Sequence, residues 1–113
     1  MAQIAEYRAC IHHLLQKYTT HTPSYAEAEI EIQLIEDTTH DHYQVYHVGW
    51  HRDRRIHGCI LHLDIKDDKI WIQHNSTEDR IATELVALGI PKEAIVLGFQ
   101  APDRRQYTEY AIQ

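Results

Sequence analysis

The chain is poor in the residues that punctuate catalytic loops: 113 residues hold four glycines, three prolines, two cysteines and one phenylalanine. The glycines are scattered and form no phosphate-cradling loop. Ser24 and Ser76 fall in polar turns with no Gly-x-Ser-x-Gly elbow around them. Cys10 and Cys59 have no short spacing, which argues against a disulfide framework or a thiolate metal site and for small, inert, buried hydrophobes. No apolar run approaches the ~20 residues that cross a bilayer. The N-terminus, MAQIAEYRACIHHLL, lacks a basic start followed by a purely apolar stretch, so no secretory leader is expected and the setting expected is cytoplasmic.

Positive charge is also scarce. Lysine and arginine number 11 against 17 acidic residues, for a formal net charge of −6. A surface that binds nucleic acid concentrates positive charge to displace counterions. Tight direct DNA binding is therefore not the first expectation, and a basic protein partner fits the charge better.

What is present is an ordinary globular composition, 43% hydrophobic and 25% charged, long enough for one domain with its own core. Residues 2–18 place Ile4, Tyr7, Ile11, Leu14, Leu15 and Tyr18 at helical spacing. The pattern breaks from Thr19 to Pro23. From Ala26 the period becomes two, with Ile30, Ile32 and Leu34 alternating with Glu29, Glu31 and Gln33. Polar turns at Glu36–His40, Arg52–Arg54 and Asp67–Asp68 divide strands at His42–Trp50, Arg55–Ile65 and Ile70–Ile72. Turns this short force antiparallel neighbours.

Asn75, Ser76 or Thr77 is expected to cap a second helix, with Glu78 and Asp79 in its first turn. Its apolar face is Ile81, Ala82, Leu85, Val86 and Leu88, and Gly89 is its stop. Pro91-Lys92-Glu93 opens a short helical turn, Ile95–Phe99 suits a strand or a core loop, and the weakly alternating tail, Tyr107–Ile112, is a candidate fifth strand. The fold class is α+β: an N-terminal helix, a four-stranded antiparallel meander with room for a fifth C-terminal strand, and a second helix, in a single domain over 1–113.

A straight ladder with Trp50 opposite Arg55 sets Val48 against His57, Tyr46 against Cys59 and His47 against Gly58. One face then gathers Ile30, Ile32, Leu34, Tyr43, Val45, Ile56 and Ile60, with a shallow hole at Gly49 and Gly58. The other gathers Tyr46, Val48, Cys59, Leu61, Leu63, Ile65, Ile70 and Ile72. Apolar residues on both faces call for cover on both, by helices or by a second subunit in a homo-oligomer.

The same ladder decides the ten histidines. His47 and His51 share a face but lie ~13 Å apart at ~3.3 Å per residue, and His47 and His62 sit about as far apart on theirs. Zinc ligands must each reach the ion at ~2 Å, so no metal site and no cofactor is expected. His12 and His13 point to different sides of a helix. Glu29 and Glu31 are the solvent face of a strand rather than an acid/base pair. Arg52, Arg54 and Arg55 at a hairpin tip, with Arg104 and Arg105 near the C-terminus, are candidate contacts to phosphate or to an acidic protein surface. Trp50 and Trp71 are candidate interface anchors.

Several blocks in the right order resemble the XisI family, named for the fdxN element excision controlling factor of cyanobacteria. They are Asp41-His42-Tyr43-Gln44-Val45-Tyr46-His47-Val48-Gly49-Trp50, Gly58-Cys59-Ile60-Leu61-His62-Leu63-Asp64-Ile65, Lys69-Ile70-Trp71-Ile72-Gln73-His74, Ile90-Pro91-Lys92-Glu93 and Tyr107-Thr108-Glu109-Tyr110-Ala111. The resemblance implies an accessory role in programmed excision of a DNA element by a separate recombinase, in association with a second small protein, XisH, which resembles restriction nucleases. It implies no catalytic residue. The chain departs from the family pattern at Asn75-Ser76, where Asp-Gly is common, and at Gln100, where histidine is common. The expected function is a non-enzymatic controlling factor that contacts a XisH-like partner, with an antitoxin-like inhibitor of that partner and a direct DNA-binding accessory protein as alternatives.

Overall fold

Helical spacing of apolar side chains produces the first element of the computed structural model, α1 (Ala2–Thr19). The structure describes residues 2–19 and 28–113. The break through Pro23, the turn holding Ser24 and the strand start at Ala26 lie outside them. Tyr7, Ile11, Leu14 and Leu15 are buried along one stripe of α1, and Ile4 and Tyr18 pack at its ends.

Period-two segments then form β1 (Ala28–Asp37), β2 (His42–His51), β3 (Arg54–Lys66) and β4 (Lys69–Asn75). They lie in chain order in one sheet, each antiparallel to the next. Asp67 and Asp68, at φ 53° and 61°, make a two-residue β3–β4 turn, the left-handed pair that matches the twist of adjoining strands.

The chain next forms α2 (Ile81–Ala87), a 3-10 turn (Lys92–Ala94) and β5 (Ile95–Leu97), which runs parallel to β4 at the sheet edge. The fifth strand is therefore Ile95–Leu97. The tail forms a 3-10 segment over Pro102–Tyr107 and adds no strand, pairing with the sheet by an isolated bridge of Ala111 to Val96. The polar run before α2 also differs from expectation. Arg80 precedes the helix with no side-chain cap. Asn75 instead folds the run as an Asx turn, accepting from the Thr77 amide at 2.9 Å and donating to the Asp79 carbonyl at 3.0 Å. Gly89, at φ 103°, ends the helix as expected.

The β2–β3 register follows the straight ladder from the hairpin tip as far as Tyr46 opposite Cys59. There it slips by one residue, so that Val45 faces Leu61 and Tyr43 faces Leu63. Ile60 is the extra residue of a β-bulge, and a one-residue slip moves every later side chain to the other face. Leu61, Leu63, Ile70 and Ile72 consequently join Tyr43 and Val45 under α1 and α2 in one core, with Ile65 packed against it. The assignment of residues to the two faces is thereby corrected, while apolar residues remain on both. The helix-covered face takes Leu61, Leu63, Ile70 and Ile72; the other carries Tyr46, Val48 and Cys59 beside a polar group, with Trp71 and Val96 buried at its β4–β5 end.

Candidate functional site

The bulge at Ile60 also brings His62 and Asp64 onto the face of His42. In the straight ladder both would have pointed into the core beside Tyr43. In the structure His42 pairs directly with Asp64, and Gln44 with His62. His47 stays on the helix face and so does not share a face with His62, against expectation; burial pushes its imidazole pKa down.

Among the described residues, His42, His62 and Asp64 are the one group of three whose ligand atoms all lie close, within 4.8 Å of one another. His42 Nδ1 and His62 Nε2 each lie 2.8 Å from the same oxygen, Asp64 Oδ1. Gln73 Nε2 donates to Oδ2 at 3.1 Å. A second bulge, between His62 and Leu63 on the β3–β4 ladder, makes room for Gln73. The imidazole centroids are 6.5 Å apart and the rings stand at 74°, edge to face. Burial works against the Asp64 charge, but the hydrogen bonds from His42, His62 and Gln73 outweigh it and hold the carboxyl below its ordinary pKa. The hydrogen bond to Asp64 raises the pKa of His42 in turn.

The expected basic and aromatic residues occupy two separate places. Arg52, Arg54 and Arg55 form the exposed β2–β3 tip. Arg55 lies over the Trp50 ring at 5.4 Å, and Trp50 is 47% exposed. Arg105 lies instead over Trp71 at 5.1 Å, with Lys66 at 4.6 Å from the same ring. It also donates to the carbonyls of Gln100 and Gly98. Trp71 is 8% exposed and gives its indole N–H to the Lys66 carbonyl at 3.1 Å. Because Trp71 pairs with Asp64 and Asp64 with His42, the Trp71 end of the sheet is ten residues of strand from Arg52, roughly 30 Å. The structure does not bring the five arginines together.

No described helix is long and apolar enough to cross a membrane. A family model described as XisI protein matches residues 1–112. No curated protein matches the chain. Two solved structures from Anabaena variabilis ATCC 29413 are similar to it. One, a XisI-like protein, is 46% identical, with 96% of this chain and 98% of that one covered and a TM-score of 0.88. The other, the fdxN element excision controlling factor XisI, is 35% identical, with 98% and 99% covered and a TM-score of 0.83.

Proposed function

The chain belongs to the XisI family, and from that premise we propose that it is a controlling factor for excision of a DNA element, regulatory rather than catalytic, acting through contact with a XisH-like protein. The observation that carries this reading is the near full-length similarity to a protein named for control of fdxN element excision. The choice of protein contact over DNA readout rests on charge and geometry. The net charge is −6, and the five candidate arginines are split between the β2–β3 tip and the C-terminal segment. Phosphate binding that depends on counterion release needs them contiguous. The tip instead pairs a half-exposed tryptophan with Arg55, the residue types enriched at the centres of protein interfaces.

Co-expression with a XisH-like protein tests the proposal. A complex that survives gel filtration at about 0.15 M salt, and weakens with Trp50→Ala, is the expected result. Two proteins that elute apart, together with a salt-sensitive gel shift by this chain alone, would replace it with direct DNA binding.

A further inference from the structure

We propose that His42, His62 and Asp64 form a binding site for a divalent transition-metal ion of the zinc class. This stands apart from the excision reading and survives its failure. Two imidazoles and a carboxylate are the donor set that suits such ions, and Mg²⁺ or Ca²⁺ would call for more oxygen donors. His42 faces Asp64 across β2 and β3, and His62 lies two residues before Asp64 on the same face of β3, so the sheet itself sets their spacing. Ligands at ~2.0–2.2 Å from a tetrahedral ion lie roughly 3.3–3.6 Å apart. The two nitrogens now sit 2.8 Å from Asp64 Oδ1, and all three ligand atoms lie within 4.8 Å. Small side-chain rotations therefore admit the ion with no change in the ladder.

The remaining features agree with a site. Each nitrogen that now faces the carboxylate would bind the metal in place of its proton or hydrogen bond. Gln73 holds the second oxygen of Asp64, as an outer partner holds a metal-bound carboxylate. Two neutral histidines and one carboxylate bring a net charge of −1 to a dication. The His42 side chain is 55% exposed against 13% for Asp64. An ion can thus enter from solvent, and a fourth position faces outward for water or a donor from another molecule.

The test is calorimetric titration of the metal-free chain with ZnCl2, repeated with His42→Ala and His62→Ala, and a Co²⁺ titration read by visible absorption. The expected result is one saturable ion per chain, at least tenfold weaker in either variant, with tetrahedral Co²⁺ bands that both variants lose. Far-UV circular dichroism checks folding; if His62→Ala unfolds, the solvent-facing His42→Ala decides alone. No saturable binding, or equal binding by wild type and the folded variants, overturns the proposal, the latter by placing the ion on other histidines.

Discussion

Arg8 on α1 forks onto Asp41 in the β1–β2 turn, with Nε 2.8 Å from Oδ1 and Nη2 3.1 Å from Oδ2. Asp41 sits at φ 61° and also accepts from the Tyr43 hydroxyl at 2.8 Å. One carboxylate therefore joins the helix, the turn and a core tyrosine. Asp41→Ala leaves the Tyr43 hydroxyl without this acceptor and is expected to cost about 1–3 kcal/mol; Arg8→Ala, at the solvent end, is expected to cost less. The Arg8 hydrogen bonds hold the Asp41 pKa below its ordinary 3.8. A carboxylate depressed in the fold contributes its stability above the unfolded pKa and loses it as pH falls through the folded one. Urea unfolding should thus show a wild-type advantage over Asp41→Ala at neutral pH that shrinks as the pH falls below the ordinary 3.8. A gap constant across that window would show that Asp41 acts through shape alone.

Gly49 and Gly58, read from the sequence as one shallow hole, differ sharply. A Cβ built on Gly49 would lie 2.0 Å from the Glu29 carbonyl oxygen and 2.9 Å from the Ile30 Cα, whereas one on Gly58 meets no described heavy atom within 4 Å. Gly49→Ala must push β1 from β2 and is expected to cost about 3 kcal/mol, at the upper end of overpacking. Gly58→Ala is expected to stay within about 0.5 kcal/mol. Thermal melts of the two variants check this, and equal losses would contradict the close approach of β1 to β2.

The bulge predicts an order between neighbours. Leu61 is fully buried and Ile60, the extra residue, is half-buried at its side. Leu61→Ala is expected to cost about 2–5 kcal/mol, and Ile60→Ala clearly less. The straight ladder, which puts Ile60 in the main apolar row, predicts no such gap. Chemical denaturation of both variants separates the two registers.

That bulge marks where sequence reasoning stopped. The first helix, the antiparallel order β1 to β4 and the β2–β3 pairing from Trp50 to Tyr46 were legible, because apolar periodicity and short turns are local signals; the parallel edge strand β5 was not. The position of a β-bulge is not. Cys59-Ile60-Leu61 is apolar throughout, so alternation carries no phase there, and burial of Leu61 and Leu63 against α1 chooses the slip. With the phase lost, a straight ladder points His62 and Asp64 away from His42 and hides the cluster. The signal that could have exposed it is His-x-Asp in β3: with His62 and Asp64 in the core, the straight ladder buries an imidazole and a carboxylate among apolar side chains, which is costly. Putting that pair on the polar face demands the slip. The α2 cap failed for a related reason, since Asn75 can serve a helix or an Asx turn and only the position of Ile81 in the core decides.

The two tryptophans should report the two ends of the sheet separately. Trp71 lies between Lys66, Arg105 and the sheet and is 8% exposed, while Trp50 at the hairpin tip is 47% exposed. Trp71→Ala is expected to cost about 3–5 kcal/mol, and Trp50→Ala about 1 kcal/mol or less. These are the only tryptophans in the chain, so Trp71→Phe leaves a fluorophore that acrylamide quenches readily, and Trp50→Phe leaves a protected one. If the tip is the contact surface, adding the XisH-like protein should lower quenching in the Trp71→Phe variant and leave the Trp50→Phe variant nearly unchanged. Quenching of Trp50 that does not respond to a bound partner would move the contact surface away from the tip.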